Sequence, residues 1–166
     1  KEFLLESDAI VSLTDAARRE LLSKSEYKSL DIRVIPCCAD LEHFDYRRVT
    51  NHDTEKRRNE LNIPKDSRVI SYLGSVGGWY MTREMFEFFL TLRTAHPNFL
   101  LLILSKDDPE LIRKWARDAQ VPEAALRICF AKRAELPSYI SLSQCSIFFI
   151  RPTYSKMASS PTKHAE

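Results

Sequence analysis

Glycine is scarce in this sequence, which has three in 166 residues where ordinary usage of about 7 % would supply roughly a dozen. Long apolar runs are absent as well, since none approaches the roughly 18 residues needed to span a bilayer. The formal net charge is only +2, and no basic stripe with interleaved aromatic residues indicates a nucleic-acid partner. The hydrophobic fraction of 44 % and the charged fraction of 29 % are instead typical of a soluble globular protein with a substantial core.

The cysteines lack the spacing of a metal site. Cys37 and Cys38 are adjacent, which is not the C-x2-C pattern of a zinc site. Cys129 and Cys145 lie in apolar, strand-like segments, and no histidine is spaced to activate any of the four. We therefore predict buried free thiols, typical of a reducing compartment, and no bound metal.

All three glycines fall in one short segment, at Gly74, Gly77 and Gly78, directly after the apolar run at residues 69–73. Glycine permits positive φ and lets a ligand approach the backbone closely. Ligands of α/β sheets usually bind beyond the carboxyl ends of the strands, so this loop is a candidate site. The alternative is a tight turn without a ligand. The spacing is neither G-x-G-x-x-G nor a Walker A loop, since no Lys-Ser/Thr pair follows the last glycine.

Short apolar runs alternate with helical stretches along the chain, which is typical of β-α units with a parallel sheet. Strands are predicted at residues 9–13, 32–35, 69–73, 98–104, 126–130 and 146–150. Helices are predicted at residues 15–24, 53–61, 82–94, 109–119 and 137–142. Thr14 is the predicted N-cap of the first helix, and Asp108-Pro109-Glu110 combines a cap, a proline in the first turn and an early acid.

A polar, irregular stretch at residues 38–53 separates two series of these units. We therefore predict an α/β fold with two Rossmann-like lobes, each incomplete, in which helices flank parallel sheets. Residues 1–37 would form the end of an N-terminal lobe, residues 38–66 a linker, and residues 67–166 the first part of a C-terminal lobe. The chain has no initiator Met and no signal-peptide-like start, so we expect a piece of a longer protein.

Three other segments have residues suited to binding an anion. Ser105-Lys106-Asp107 and Phe130-Ala131-Lys132-Arg133 each follow a predicted strand, and their cations could pair with phosphates at the carboxyl edge of the sheet. The segment at residues 155–166 places hydroxyls and a lysine before Glu166, in the predicted first turn of a helix. Such a helix start can bind anions, and a carboxylate can hold the hydroxyls of a ribose. Solvated turns and a plain loop are the alternatives.

Four stretches resemble, in order, motifs of the retaining GT-B-fold glycosyltransferases of the "group 1", GT4-like family. Residues 7–14 resemble the strand and turn near the end of the N-terminal lobe, and residues 33–44 (RVIPCCADLEHF) resemble the interlobe segment v-I-P-n-G-v-D-…-F. Residues 71–75 (SYLGS) followed by 79–81 (WYM) resemble the first strand and loop of the donor-binding lobe. Residues 160–163 (SPTK) with Glu166 resemble the S-P-x-K-…-E start of the nucleotide-binding helix. The resemblance covers nearly the whole chain.

This resemblance implies a transferase that moves a sugar from a nucleotide-sugar donor to a glycan or lipid-linked acceptor, as in polysaccharide biosynthesis. The nucleotide-sugar is a substrate, and neither a cofactor nor a metal is implied. By motif position, Gly74 and Ser75 would border the diphosphate and Lys132 would lie near the base. Thr162 and Lys163 would lie near the diphosphate or the donor sugar, and Glu166 would hold the ribose. The implied location is cytoplasmic, with peripheral contact at the inner membrane face expected for the full-length protein.

The sequence also departs from the family pattern. Ala158 stands eight positions before Glu166, where many relatives have an acid, and Ser75 and Tyr80 stand where the first loop often has arginine and lysine. Cys38 replaces the interlobe glycine. The family's catalytic histidine and acceptor site belong to the N-terminal lobe, so no catalytic residue is assigned here and this chain alone is expected to be inactive. A non-catalytic GT-B-like binding module and a GT-B-fold sugar-nucleotide epimerase are the alternatives.

Overall fold

The computed structural model describes residues 2–156 and 158–162. The chain divides into two compact units: unit 1 holds the residues up to Asp40 together with those from Pro152 onward, and unit 2 spans Leu41–Arg151. Each unit has parallel strands flanked by helices, so the predicted α/β fold class is confirmed. The predicted assignment of residues 1–37, 38–66 and 67–166 to two lobes and a linker stays a prediction.

Unit 1 has a small sheet of two parallel strands. Its elements are α1 (Glu2–Leu5), β1 (Ile10–Ser12), α2 (Asp15–Leu22) and β2 (Ile32–Val34). The strands pair with Ile10 opposite Ile32. The predicted cap of α2 is present, because the Thr14 side chain accepts a hydrogen bond from the backbone N–H of Ala17 at 3.1 Å. Thr14 also donates to the carbonyl of Ala158 at 3.1 Å, which ties the later segment of the unit to the start of α2.

Unit 2 contains a four-stranded parallel sheet in the order β5-β4-β3-β6. Its strands are β3 (Arg68–Leu73), β4 (Phe99–Leu104), β5 (Leu126–Cys129) and β6 (Cys145–Ser146). Its helices are α3 (Asn51–Glu60), α4 (Thr82–Ala95), α5 (Pro109–Asp118) and α6 (Leu136–Ile140). The strands β3, β4 and β5 and the helices α4 and α5 lie within two residues of their predicted bounds.

The core of unit 2 is built around β4, whose six residues are all buried. A continuous apolar strand of this kind is covered on both faces, as expected for a parallel sheet. Phe86 and Phe89 of α4 and Ile112 of α5 are almost fully buried in the same core. The start of α5 follows the predicted signal, since the Asp108 carboxylate accepts from the N–H of Glu110 at 2.9 Å. The orientation of both helices on the sheet is therefore fixed by their apolar faces.

The predicted strand at 146–150 is wrong in its extent. Pairing with β3 ends at Ser146, after which Ile147 N–H donates to the Ser71 carbonyl at 2.8 Å. The backbone then turns to the segment before α4: Ile150 forms an antiparallel bridge with Tyr80. The N–H of Met81 donates to Phe149 O at 3.0 Å. Pairing with Tyr80 and Met81, which are distant in sequence, replaces further pairing with β3 and so shortens the strand.

The predicted burial of the cysteines is also wrong. Cys38 and Cys145 are exposed and Cys37 and Cys129 are partly exposed, and all four are free thiols. Cys145 lies on β6, which is an edge strand of the sheet, so its apolar neighbours in sequence do not bury it. Apolar surroundings in the sequence indicated a strand near Cys145, but neither its extent nor how well it is covered.

Candidate functional site

The loops that follow β3, β4 and β5 lie at one edge of the unit 2 sheet, because these three strands are parallel neighbours. This arrangement brings Gly74 and Ser75 to the same edge as Lys132, with the loop after β4 between them. Thr162 is exposed and belongs to unit 1. Lys163 and Glu166 lie outside the described residues, so their predicted roles stay predictions.

The three glycines adopt backbone conformations that favour glycine. Their φ values are +130° at Gly74, +74° at Gly77 and +59° at Gly78. A Cβ at Gly77 would lie 2.8 Å from the Cη2 atom of Trp115, so packing on α5 also requires glycine there. A Cβ at Gly78 would have no atom within 4 Å. The middle of the loop is therefore packed against the protein, whereas Gly78 borders open space.

Three of the five backbone N–H groups of the loop at residues 74–78 already have partners within unit 2. Gly74 N–H donates to the carbonyl of Leu104 at 2.9 Å, which extends the ladder between β3 and β4. Val76 N–H donates to Asp107 Oδ2 at 2.5 Å. For the N–H groups of Ser75 and Gly78, no hydrogen bond to any described residue is present. The loop thus retains two backbone donors for a ligand.

Two side chains hold the backbone on either side of Val76. The Tyr72 hydroxyl donates to the Ser75 carbonyl, and burial raises the pKa of Tyr72 above its ordinary value, so this hydroxyl keeps its proton. Thr82 Oγ1 accepts from Gly77 N–H at 2.8 Å. Thr82 is the first residue of α4, whose N-cap position, Met81, offers no side-chain acceptor. The positive end of the α4 dipole therefore lies next to the loop without a side-chain cap.

The neighbouring loops contribute cations. Lys106 follows β4 and is exposed, with its Nζ 6.0 Å from the centre of the Phe130 ring in the loop after β5. Lys132 is exposed and its N–H donates to Glu135 Oε2 at 3.2 Å. Lys106 is therefore a second lysine at this sheet edge, in a loop whose role the sequence left open. The two lysines place positive charge at this edge, beside the Asp107 carboxylate.

A groove of about 1020 Å³ adjoins the glycine loop. It lies between α4 and α5, and its lining includes Gly77, Gly78 and Trp115. Charged groups of both signs also line it: Arg83, Glu84, Glu87, Asp118 and Arg151. The loops after β4 and β5 do not line this groove, so it meets the sheet edge only at the glycines.

An arginine that sequence patterns did not indicate joins α3 to α6. Arg57 pairs with Glu60 at 2.8 Å and with Glu135 at 3.1 Å, and its guanidinium lies 4.6 Å from the centre of the Tyr139 ring. The hydrogen bond from Arg57 holds the pKa of Glu60 below its ordinary value. Glu135 is 78 residues away in the chain, and no local signal relates it to Arg57. The cluster is structural, since it joins α3 to α6 within unit 2.

Other site classes find no support in the described residues. Burial raises the pKa of the Cys129 thiol to about 11, so it is protonated at neutral pH and is a poor nucleophile. Among residues 2–156 and 158–162, no group of three histidine, cysteine or acidic residues is placed to hold a metal ion. No helix in this part of the chain is long and apolar enough to cross a membrane.

Comparisons with solved structures find glycosyltransferases. A glycosyltransferase from Rickettsia africae ESF-5 is similar with a TM-score of 0.65 and 16 % identity, over 83 % of this chain and 37 % of that one. WaaG, a glycosyltransferase involved in lipopolysaccharide biosynthesis, is similar with a TM-score of 0.66 and 15 % identity, over 87 % of this chain and 38 % of that one. Anabaena Alr3699/HepE in complex with UDP and glucose is similar with a TM-score of 0.59 and 11 % identity, over 84 % of this chain and 37 % of that one. No protein-family model and no curated protein matches the sequence.

At these identities the likeness shows the fold, which is the GT-B, Rossmann-like fold expected from the sequence motifs. The chain spans less than two-fifths of the length of these structures. The narrower assignment to the group 1, GT4-like family remains a prediction.

Proposed function

We propose that this chain is part of a nucleotide-sugar-dependent glycosyltransferase, and that the carboxyl edge of the unit 2 sheet binds the nucleotide diphosphate of the donor. The observation that carries this proposal is Gly78. Its φ of +59° lies in the left-handed region, where this chain elsewhere uses Asn62 at +49° and Gln120 at +66°. A side chain at Gly78 would also meet no atom. The φ at Gly78 favours glycine, and the open space beside this residue lets a ligand approach the backbone closely.

The neighbouring groups suit a diphosphate. Ser75 and Gly78 offer backbone N–H donors, and the uncapped start of α4 offers a favourable dipole. Lys106 and Lys132 supply positive charge from the next two loops. Parallel strands lie about 4.8 Å apart, so the carboxyl ends of β3 and β5 are separated by about 10 Å. That separation leaves room for a diphosphate at the glycines and a base near Lys132.

During transfer, the bond between the sugar and the diphosphate breaks and negative charge grows on the departing phosphate. Cations and backbone donors that are fixed before the reaction stabilise such charge. We assign this role to the two lysines and the glycine loop. The donor is a substrate, and the proposal requires no cofactor or metal. The acceptor is proposed to be a glycan or a lipid-linked sugar, used in polysaccharide biosynthesis at the inner membrane face.

The roles of Thr162, Lys163 and Glu166 toward the donor remain part of the proposal through their motif alone. The same holds for the catalytic groups, which the proposal assigns to the remainder of an N-terminal lobe. We therefore expect this chain by itself to bind donor nucleotide without turning over sugar.

Calorimetric titration of the chain with UDP, GDP and their nucleotide-sugars tests the proposal. Gly78→Asn should weaken nucleotide binding by about tenfold or more, because the new side chain fills the space that a ligand would enter while tolerating positive φ. Lys114→Ala, an exposed change on α5, is the matched control and should bind like the wild type. Wild-type protein that binds none of these nucleotides, or Gly78→Asn that binds them unchanged, would contradict the proposal.

A non-catalytic binding module is the second candidate, and the observation that favours it is Asp107. Its carboxylate already occupies the Val76 N–H, a position where many phosphate-binding loops offer a donor to the ligand. Binding of UDP or GDP together with sugar transfer by the longer protein would favour the enzyme. Absence of nucleotide binding would favour the module.

A further inference from the structure

We propose that Asp107 and Thr82 are positioning residues that hold the glycine loop in its ligand-binding shape before a ligand arrives. This inference rests on the proposed function of the loop. It concerns two side chains whose proposed role is toward the backbone of the loop. Both instead accept hydrogen bonds from the loop backbone.

The geometry fixes consecutive parts of the loop from separate elements. Asp107 Oδ2, in the loop after β4, accepts from Val76 N–H at 2.5 Å, and Thr82 Oγ1, at the start of α4, accepts from Gly77 N–H at 2.8 Å. The Tyr72 hydroxyl of β3 donates to the carbonyl of Ser75, immediately before them. Three successive residues are thus each held by one side chain. A loop held in this way loses little conformational entropy when it binds a ligand.

The holding groups are themselves fixed. Thr82 is buried, with 6 % of its surface exposed, and belongs to a 14-residue helix whose apolar face lies in the core. Asp107 has its own N–H bonded to Ser105 Oγ at 3.1 Å, and Ser105 is buried at the end of β4. A binding geometry stays accurate when the side chains that hold it are themselves fixed by their neighbours in this way.

Because Asp107 is charged, its effect on binding through the hydrogen bond to Val76 can be distinguished from its electrostatic effect on a diphosphate. A carboxylate close to the loop repels a diphosphate, so its presence is unfavourable for binding unless its hydrogen bond to Val76 compensates. Asparagine keeps a carbonyl oxygen that can accept the Val76 N–H but removes the charge. Likewise serine keeps the hydroxyl acceptor at position 82, whereas valine keeps the shape of threonine without it. Each position therefore has one variant that retains the hydrogen bond and one that loses it.

The experiment titrates UDP into the wild type, Asp107→Ala, Asp107→Asn, Thr82→Val and Thr82→Ser. We expect about tenfold weaker binding for the alanine and valine variants, which each lose one backbone hydrogen bond, and binding at or above the wild-type level for asparagine and serine. Equal affinities for all five proteins would overturn the inference. Tighter binding by both Asp107 variants would show that the carboxylate acts only through its charge, and would also overturn it.

Amide hydrogen exchange in the ligand-free protein gives a second readout that needs no nucleotide. The N–H groups of Val76 and Gly77 should exchange slowly in the wild type, and each should become faster only in the variant that removes its acceptor. If the wild type binds no nucleotide while this exchange pattern is found, the proposed function fails and the positioning role stands. Fast exchange of both amides in the wild type would refute the positioning role directly.

Discussion

The packing of Gly77 on Trp115 leads to a prediction about stability. Gly77→Ala adds one methyl group at a φ of +74° and 2.8 Å from Trp115 Cη2, a distance at which one of the two groups must move. Gly78→Ala adds the same methyl group at +59°, where no atom lies within 4 Å. The two substitutions therefore share the backbone effect and differ in the contact.

The magnitude follows from that difference. A side chain at positive φ destabilises the folded state by about 1–2 kcal/mol, and the loss of chain entropy from replacing glycine offsets about 0.4–1 kcal/mol of this. Both substitutions share these two effects. Overpacking adds about 1–3 kcal/mol at Gly77 alone. Trp115 lies on α5, which Ile112 and Ala116 fix in the core, and its partly buried ring packs against that core on one side and lines the groove on the other, so movement of the ring relieves only part of the overlap. We expect Gly77→Ala to be less stable than Gly78→Ala by about 1–3 kcal/mol.

Urea unfolding followed by circular dichroism measures this difference as a shift of the midpoint at constant slope. The control repeats both substitutions in a Trp115→Leu background, which removes the ring atom in question. In that background the two alanine variants should have the same effect, since the contact is gone. Equal stabilities of Gly77→Ala and Gly78→Ala in the wild-type background, or a difference that persists without the Trp115 ring, would refute the packing argument.

Two further predictions concern groups away from the loop. Arg57→Met should lower the free energy of unfolding by about 1 kcal/mol, because Glu60 and Glu135 lose their cation while both carboxylates remain in contact with water, and urea unfolding measures this. Since the pKa of Glu60 is lowered in the folded state, its contribution is complete above the ordinary pKa and is lost as the pH falls through the lowered one. The loss of stability at acid pH should therefore be smaller in Arg57→Met than in the wild type. If the stability of the two proteins depended on pH in the same way, the pairing of Arg57 with Glu60 would be contradicted. Cys129, with its pKa of about 11, should react with iodoacetamide at pH 8 much more slowly than the exposed Cys38, as mass spectrometry of timed samples can show. Similar reaction rates of the two cysteines would contradict the raised pKa of Cys129.

Local signals predicted the elements of unit 2 well. Capping by Asp108 and the proline after it locate the start of α5, and both act within one turn of the helix. The six buried residues of β4 form one apolar run, which a strand covered on both faces requires. Elements fixed by neighbours in sequence can be predicted in this way because their determining contacts are short-range.

Features fixed by distant partners could not be predicted. The strand after Cys145 ends early because Ile150 pairs with Tyr80, which is 70 positions earlier in the chain. Arg57 finds Glu135 only after α3 and α6 have packed together. For the same reason, the sequence indicated a glycine loop but not which of its N–H groups remain available, since Asp107 comes from the loop after another strand.

This hydrogen-bond pattern limits what the glycines can do alone. A loop that cradles phosphate by itself presents several successive N–H groups to it. Here the N–H groups of Val76 and Gly77 have internal acceptors, and two donors remain in the loop. An anion at this edge must therefore take much of its stabilisation from Lys106 and Lys132, which follow the next two strands. Because the strands before those loops end within about 10 Å of the end of β3, the three loops are close enough to act on one ligand. The proposed binding at this edge would accordingly depend on the order β5-β4-β3 in the sheet, which brings the three loops together.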